Sequence, residues 1–305
     1  SDGCTTLTSS GTTALHLALK VCGVKPGDLV IIPNYTFIAT ANSVSHAGAK
    51  PWLIDINPSN LTLDNNLLYS ELKKNIQIIN GECFHLNTSK RVSAAIAVHA
   101  FGHPPDLDKL TDILNEFKIP IILDAACAIG SKYKEKNISS YGSLSCFSFN
   151  GNKSITSGGG GAISSNDIEL IKKASHLAST ARRGPGYDHD QIGFNFRMTN
   201  LQAAVGLGQI ERLNSINTKK REIKQRYDNN FRTIEYIQPF PEEEWAESSC
   251  WLSGFILDKN SDVSPKQIIK NLNKKRIRVK EFWKPIHLQK PYINCLKSDL
   301  KISES

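Results

Sequence analysis

Residues 144–164 read LSCFSFNGNKSITSGGGGAIS. The apolar part, residues 144–149, predicts a strand, and Lys153 follows it among small and polar residues. The glycines at 158–161 favour a tight turn into a second strand that starts at Ala162. Lys153 is therefore either a solvated loop lysine, as most lysines are, or a reacting amine held at the end of a strand.

The sequence before this stretch alternates between helix and strand patterns. A first helix is expected after Ser9–Thr13, because hydroxyl residues suited to capping precede apolar residues at helical spacing and Gly23 ends the pattern. Buried strands are expected at 29–32, 52–56, 93–99 and 119–124, and helices at 39–47, 64–74 and 106–117. Strands that are apolar on both faces and separated by helices predict an α/β fold with a mostly parallel sheet flanked by helices.

A different pattern begins at Thr199, which is expected to cap one long helix running toward Arg232. Beyond it we predict a strand at 251–257, an amphipathic helix at 265–275 and another strand from Ile277. We therefore expect a large domain over residues 1–230 and a smaller α+β domain over residues 231–305. Since Met198 is the only methionine and the chain ends in a polar stretch, we expect a fragment that lacks a segment before Ser1 and the end of the small domain.

Composition narrows the class of protein. The chain has 305 residues, of which 40% are hydrophobic and 22% charged, as is usual for a globular protein. No apolar run reaches the roughly 20 residues of a membrane span, and no signal peptide is recognisable, so we place the protein in the cytoplasm without a membrane partner.

The seven cysteines form no CxxC pair, which favours free thiols over a metal site. The net charge of +8 is spread thinly, which argues against nucleic-acid binding and is compatible with an anionic substrate.

Several candidate site residues lie near the carboxyl ends of the predicted strands, where parallel sheets bind ligands. Ser10–Thr13 opens a helix whose amides can hold a phosphate, although plain capping also explains these residues. Asp124 ends an apolar strand, and its carboxylate requires a partner such as a protonated ring nitrogen or a structural arginine. Phe37 is placed either to stack on a flat ring or to join the core. With Lys153 and the adjacent Ser148, these features match the requirements of pyridoxal phosphate: an amine for its aldehyde, a carboxylate for its ring nitrogen and amides for its phosphate.

Seven segments, in order through nearly the whole chain, resemble one known family: SSGTTALHLAL (9–19), PGDLVIIPNYTFIATANSVSHAGAKPWLID (26–55), HAFGHPPDLDKL (99–110), ILDAACAIGSKY (122–133), FSFNGNKSITSGGGGAI (147–163), GFNFRMTNLQAAVGLGQIERL (193–213) and FWKPIHLQKPY (282–292). This family is the DegT/StrS-type sugar aminotransferases, which share the fold of aspartate aminotransferase, fold type I of the pyridoxal-phosphate-dependent transferases. The versions SFNGNK (148–153) and HDQIGFNFR (189–197) look most like the aminotransferases of the legionaminic acid and bacillosamine pathways.

The resemblance implies roles for individual residues. Lys153 would form the Schiff base with the cofactor and shuttle the proton, and Asp124 would hold the pyridine nitrogen. The remaining cofactor contacts would be stacking by Phe37 and phosphate binding by Gly11, Thr12 and Ser148. Asn195, with Arg197 close by, would reach the phosphate from a second subunit, so a homodimer with shared sites is implied. Cys127 stands where many relatives have Gln, so a hydrogen bond at the ring edge is lost or replaced.

The implied reaction is transfer of an amino group from glutamate to a UDP- or GDP-linked 4-keto-6-deoxyhexose, for surface polysaccharide or nonulosonic acid precursors. Candidate contacts for the diphosphate are Arg182, Arg183, Lys284 and His287. One alternative is a sugar dehydratase of the same fold, but such relatives have His in place of the lysine, and Lys153 argues against it. The other is a non-catalytic relative or an inactive fragment.

Overall fold

The fold is seen in a computed structural model that describes residues 3–304 of the chain. Expectations about segments before Ser1 and after Ser305 lie outside the described residues. The strands are, in chain order, β1 (Cys4–Thr8), β2 (Leu29–Pro33), β3 (Lys50–Ile54), β4 (Ile76–Ile79), β5 (Glu82–His85), β6 (Val92–Val98), β7 (Ile121–Asp124), β8 (Lys132–Tyr133), β9 (Lys136–Asn137), β10 (Leu144–Ser148), β11 (Gly161–Ser165), β12 (Arg182–Arg183), β13 (Asp188–His189), β14 (Ile237–Pro239), β15 (Ala246–Glu247), β16 (Phe255–Leu257) and β17 (Leu296–Lys297).

The α-helices are α1 (Gly11–Val21), α2 (Ile38–His46), α3 (Asn65–Asn75), α4 (Leu107–Glu116), α5 (Ile168–Ala178), α6 (Asn200–Ile210), α7 (Leu213–Phe231) and α8 (Pro265–Lys274). Short 3-10 turns occur at Ala100–Gly102, Ile138–Ser140, Ile286–Leu288 and Lys290–Tyr292. The capped first helix is confirmed, because the Ser10 hydroxyl accepts the N–H of Thr13 at 3.1 Å and the Thr13 hydroxyl accepts the N–H of Ser10 at 3.0 Å.

The main sheet has the strand order β1-β11-β10-β7-β6-β2-β3-β17. β11 is antiparallel to both of its neighbours, whereas the other described pairings in this sheet are parallel. Helices cover both faces, which confirms the predicted α/β class. One apolar core lies between the sheet and α1, α2 and α5, and a second lies between the sheet and α3 and α4. β6 and β7 therefore read as nearly continuous apolar runs because both of their faces are buried.

The prediction of a single long helix after Thr199 is wrong, although the predicted cap at Thr199 is confirmed. The helix ends at Ile210, and α7 starts at Leu213. The N–H of Arg212 bonds to the carbonyl of Gln209 at 3.1 Å, three residues back, so the last turn tightens and the α-helical ladder stops. The pattern of polar and apolar residues stays uniform across this break, so the sequence does not predict it.

Two strand predictions in the last third also need correction. The expected strand at 251–257 is reduced to β16, because Cys250 has a positive φ of 49° and Trp251 turns its N–H to the carbonyl of Phe101 at 3.2 Å. The strand expected from Ile277 is absent from residues 277–279. The N–H of Ile277 instead bonds to the carbonyl of Leu272 at 3.0 Å and closes the end of α8, so it is not free for a ladder.

Part of residues 231–305, the range predicted to form a smaller domain, belongs to the main sheet. β17 pairs in parallel with β3, and the Ser298 hydroxyl accepts the N–H of Asp55 at 3.1 Å. The division of the chain at residue 230 stays a prediction. Among residues 3–304, no helix combines the length and the apolar character needed to cross a bilayer.

We expect Ile96→Ala to destabilise the protein by about 2–5 kcal/mol, because it removes buried methylene groups and leaves a cavity. Ile96 lies in β6 and is 0% exposed. Urea unfolding of the variant should show a lower midpoint with an unchanged slope. The matched control is Ile78→Ala in β4, where the side chain is 59% exposed and the change should stay within about 0.5 kcal/mol. Equal effects of the two substitutions would contradict the described core.

Candidate active site

The candidate site forms where β7 and β10 end side by side. β7 ends in Asp124 and β10 ends in Ser148, and the two strands pair in parallel, so their carboxyl ends lie at one edge of the sheet. The chain then turns at Asn150, whose carbonyl accepts the N–H of Lys153 at 3.0 Å, and returns through Ser157, whose N–H donates to the carbonyl of Phe149 at 3.0 Å. The backbone therefore presents Lys153 on a closed loop directly after a core strand.

Asp124 is a buried carboxylate with hydrogen-bond donors but no cation paired to it. Its side chain is almost completely buried, with the residue 6% exposed. The Thr40 hydroxyl donates to Oδ2 at 2.8 Å, and the N–H of Ala126 donates to Oδ1 at 3.2 Å. No residue among 3–304 forms a salt bridge with it. Burial raises the pKa of Asp124, against the opposing effects of Thr40, Ala126 and the charge of Lys153.

Lys153 directs its amine toward a thiol and an indole ring. Nζ lies 3.2 Å from Sγ of Cys127 and 4.2 Å from the ring centroid of Trp251. Burial raises the pKa of Cys127 to about 11, so the thiol is neutral at physiological pH. In the described part of the chain the amine has no carboxylate within ion-pair distance. The groups around the Lys153 amine are therefore polarizable and weakly polar. These surroundings differ from those of the solvated loop lysine considered above.

The start of α1 lies against the end of β10. A Cβ atom added at Gly11 would lie 2.7 Å from Cβ of Ser148, so only glycine lets the helix approach this closely. The Ser10 hydroxyl is already used on the amide of Thr13, which leaves the amides of Gly11 and Thr12 without an intrahelical partner. Free amides and a positive helix end beside a serine hydroxyl form a cradle suited to an anion such as a phosphate.

The glycine run packs against the same helix start. The N–H of Gly160 donates to the carbonyl of Ser9 at 2.9 Å, and φ of Gly160 is +98°. A Cβ atom added at Gly161 would lie 2.5 Å from the carbonyl oxygen of Ser10. The glycines therefore allow β11 and the residues before α1 to approach each other, in addition to forming the turn.

Phe37 is exposed, in contrast to the core alternative. It immediately precedes α2, is 54% exposed and has its ring centroid 6.4 Å from that of Trp283. Thr40, one turn later on α2, carries the hydroxyl that holds Asp124. The structure thus leaves an aromatic face accessible on the helix that also orients the carboxylate.

Asn195 and Arg197 point away from this chain's own core. Phe194 and Phe196 alternate with them and stack on each other with ring centroids 4.7 Å apart, and both rings contact His16 of α1. Asn195 and Arg197 are exposed. The extended backbone therefore partly buries the aromatic side chains and turns the two polar ones outward.

The four candidate substrate contacts differ in exposure and in their partners. Arg182 and Arg183 lie exposed in the β12–β13 hairpin, where Arg182 donates to the carbonyl of Pro185 at 2.6 Å. Lys284 is exposed as well. His287 is buried and already engaged, since its N–H donates to Oδ1 of Asn34 at 3.1 Å and its Nε2 lies 3.0 Å from Oε1 of Glu304.

Sequence reasoning missed Thr40 and Trp251. Thr40 lies one helical turn after Thr36 in the segment that follows β2, a position that could have been recognised as facing the strand end. Trp251 had no such signal, because it lies about one hundred positions from Lys153 and no repeated pattern links the two. Only the folded chain brings them together.

These residues fit pyridoxal phosphate. Within residues 3–304 the close partners of the buried Asp124 carboxyl are neutral donors, so it can accept a cationic ring N–H. The Gly11–Ser148 cradle suits the phosphate, and no carboxylate of the described residues pairs with the Lys153 amine. The described residues hold no group of three or more His, Cys, Asp or Glu that could bind a metal ion.

Known proteins have sequences and structures similar to those of this chain. The GDP-perosamine synthase of Caulobacter vibrioides is 34% identical over 304 residues, which cover 97% of this chain and 76% of that protein. The UDP-4-amino-4,6-dideoxy-N-acetyl-beta-L-altrosamine transaminase of Campylobacter jejuni is 32% identical over 283 residues, covering 92% of this chain and 71% of that protein. The PLP form of Spr1654 from Streptococcus pneumoniae matches with a TM-score of 0.84 at 27% identity, covering 95% of this chain and 76% of that chain.

The family assignment follows from the sequence as a whole. The model of the DegT/DnrJ/EryC1/StrS aminotransferase family matches residues 3–305, which includes each segment used above for the resemblance. The fold of the structural neighbour agrees with it. The chain belongs to the DegT/DnrJ/EryC1/StrS aminotransferase family.

Proposed function

We propose that the protein is a pyridoxal-phosphate-dependent aminotransferase that transfers an amino group from glutamate to a nucleotide-linked 4-keto-6-deoxyhexose. The observation that carries this proposal is the position of Lys153, a lysine without an ion pair on the loop that leaves β10, beside the strand that ends in the buried Asp124. A lysine in that position is suited to bind a carbonyl group covalently and then to move protons. The sugar dehydratase considered above has no feature in its favour.

Each residue of the site has a defined task in this reaction. When bound, pyridoxal phosphate supplies an aldehyde that accepts the amine and a ring that withdraws electrons from the reacting carbon. Lys153 would hold the cofactor through its amine, and that amine would take the proton from the α-carbon of the amino donor. Asp124 keeps the ring nitrogen protonated. Gly11, Thr12 and Ser148 bind the phosphate, and Phe37 covers one face of the ring.

The substrate class is inferred from the relatives and from charge. The two relatives compared above are named for a GDP-linked and a UDP-linked amino sugar. A net charge of +8 favours a ligand with a diphosphate, and Arg183 and Lys284 are exposed candidates to contact it. Arg182 is exposed too, but it would have to leave the carbonyl of Pro185 for such a role. His287 would have to leave Asn34 and Glu304 for such a role. We assign the product to surface polysaccharide or nonulosonic acid precursors.

A homodimer with shared sites forms part of the proposal. α6 has no buried residue, and Leu201 on it is 82% exposed, which is unusual for a helix rich in apolar residues. Asn195 and Arg197 face outward on the segment just before α6. A second copy that covers α6 would bury these apolar side chains and receive Asn195 at its phosphate cradle. Free cysteines throughout the described residues are compatible with the reducing cytoplasm, where we place the enzyme.

We expect Lys153→Ala to abolish covalent attachment of the cofactor and to lower the transamination rate by about 10²–10⁴-fold, because both the covalent link and the proton carrier are lost. Attachment is measured as the visible absorption of purified enzyme with added pyridoxal phosphate and, after borohydride reduction, as the labelled peptide. The control is Lys136→Ala on the exposed strand β9, which should change neither. A labelled lysine other than Lys153 would refute the proposed site.

We expect Asp124→Asn to lower activity by at least about 100-fold while leaving the cofactor-free protein as stable as the wild type or more stable. The loss of activity reflects removal of the group that keeps the ring nitrogen charged. The stability result follows from the raised pKa of Asp124, whose ordinary value is 3.8. The folded state binds this proton more tightly than the unfolded state, so wild-type stability falls as the pH rises from 3.8 through the raised pKa.

Thermal unfolding of the cofactor-free proteins at a series of pH values measures how the stability of each protein depends on pH. The decline should be absent from Asp124→Asn and present in the control Asp112→Asn, which changes an exposed aspartate of α4. A variant that is active, or one that is less stable than wild type at neutral pH, would show that Asp124 has another task.

We expect mixed dimers to restore activity that neither parent variant has. Asn195→Ala and Lys153→Ala should each be inactive alone, whereas a heterodimer contains one site with Lys153 from one subunit and Asn195 from the other. Activity is measured after the two variants are denatured and refolded together, with each variant refolded alone as the control. In parallel, Leu201→Glu should shift the mass in light scattering toward a monomer, unlike Ile78→Glu in β4. Absence of complementation in confirmed heterodimers would contradict a shared site.

A further inference from the structure

A short segment of the last third of the chain, residues 248–251, packs onto the candidate site. The Ser249 hydroxyl donates to the carbonyl of Cys127 at 2.9 Å, and the N–H of Ser249 donates to the Ser131 hydroxyl at 2.9 Å. All four residues of the segment are buried. The turn that follows Asp124 and the segment 248–251 therefore form one hydrogen-bonded unit.

Trp251 is the residue of this segment that reaches Lys153. Its indole N–H donates to the carbonyl of Asn152 at 2.7 Å, and the Lys153 Nζ lies 4.2 Å from the ring centroid. One side chain thus holds the backbone directly before the lysine and also contacts the amine at the far end of the same lysine. Trp251 is 6% exposed, and its hydrogen bond to Asn152 is partly buried.

The position of Trp251 is itself tightly determined. Its N–H donates to the carbonyl of Phe101 at 3.2 Å, and its carbonyl accepts from Nζ of Lys220 at 3.1 Å. The preceding residue, Cys250, has φ of +49°, a backbone region that costs energy for any residue other than glycine. Such a conformation persists only where the surrounding contacts fix it, and here its result is to turn the indole toward the lysine loop.

We propose that Trp251 is a positioning residue for Lys153 during proton transfer, an inference that rests on the function proposed above. Once the donor has displaced it from the cofactor, the lysine amine has to stay within reach of the reacting carbons although nothing covalent holds it. The indole N–H fixes the loop at Asn152. After Nζ has taken the proton from the α-carbon of the donor, the resulting ammonium lies over the face of the ring, which attracts cations. No carboxylate competes for it among the described residues.

The opposing explanation is that Trp251 only fills space between the last third of the chain and the main sheet. Its burial would then account for its presence, and its replacement would lower stability without changing how the proton moves. The two explanations differ in a measurable way. A misplaced lysine slows one chemical step, whereas a loosened contact lowers the amount of folded protein or the affinity for ligands.

The test compares Trp251→Phe with Trp251→Leu in the complete enzyme loaded with cofactor. Phe keeps an aromatic face and loses the N–H, whereas Leu loses both. The matched control is Trp245→Leu, because Trp245 packs on Tyr133 with ring centroids 5.1 Å apart and makes no contact with Lys153. Where Trp251→Leu does not fold, Trp251→Met provides a larger side chain without a ring.

The first readout is the kinetic isotope effect with glutamate deuterated at the α-carbon. We expect Trp251→Leu to lower kcat by about 2- to 30-fold, the effect of losing one cation–π contact, with little change in KM. The isotope effect should rise, because proton transfer becomes slower relative to the other steps. Trp251→Phe should fall between wild type and Trp251→Leu, and Trp245→Leu should keep the wild-type isotope effect.

The second readout does not depend on activity. Cofactor-free protein is mixed with pyridoxal phosphate, and the rate of covalent attachment to Lys153 is followed by absorbance and trapped with borohydride. We expect slower attachment in Trp251→Leu than in Trp245→Leu, because the amine is held less well near the cradle.

The outcomes separate the two levels of the inference. A wild-type isotope effect in Trp251→Leu, together with a wild-type attachment rate, overturns the role of Trp251 and leaves the proposed function intact. Equal defects in Trp251→Phe and Trp251→Leu overturn the role of the ring face. If wild-type enzyme transfers no amino group to any nucleotide-linked ketosugar, the proposed function fails, and the attachment rate still decides whether Trp251 positions the amine.

Discussion

The site depends on a buried carboxylate that forms no ion pair with any of the described residues. Asp124 at the end of β7 is surrounded by core residues, and the Thr40 hydroxyl and the N–H of Ala126 are its close donors. Removing an ionised carboxylate from water is costly unless a charged or well-oriented partner replaces the water. Two neutral donors offset only part of that cost, which is why burial raises the pKa of Asp124. In the function proposed above, a cationic ring nitrogen would supply the missing part, so binding of the cofactor would stabilise the fold as well as enable the reaction.

Lys153 has the complementary environment. A neutral thiol and an indole face, rather than carboxylates, surround its amine. A carboxylate at that position would hold the ammonium firmly and oppose the role as a base that is proposed for it, whereas a cation–π contact is worth only about 0.5–2 kcal/mol. Cys127 therefore fits the site for a reason that differs from the hydrogen bond of a glutamine. Its sulfur occupies the space beside the amine without adding a charge there.

The sequence predicted the parts of the molecule that depend on local patterns. The apolar runs ending at Asp124 and Ser148, and the capped start of α1, are fixed by neighbours close in the chain, and the structure has each of them. The predictions failed where a single backbone hydrogen bond decides the outcome, as at Arg212 and Ile277. Trp251 was missed for a different reason. Its role depends on a contact between distant parts of the chain, and the composition of its own segment does not predict that contact.

The close approach of Gly11 to Ser148 also fixes the spacing between α1 and the segment that leaves β10. Ser148 and Lys153 belong to one segment leaving β10, and α1 is pressed against that segment with no room for a methyl group between them. The anion cradle and the backbone of Lys153 are therefore held at a spacing that the core sets. For the cofactor proposed above, this spacing favours a rigid ring that carries both the aldehyde and the phosphate, so the same aldehyde without its phosphate would be bound at one end alone.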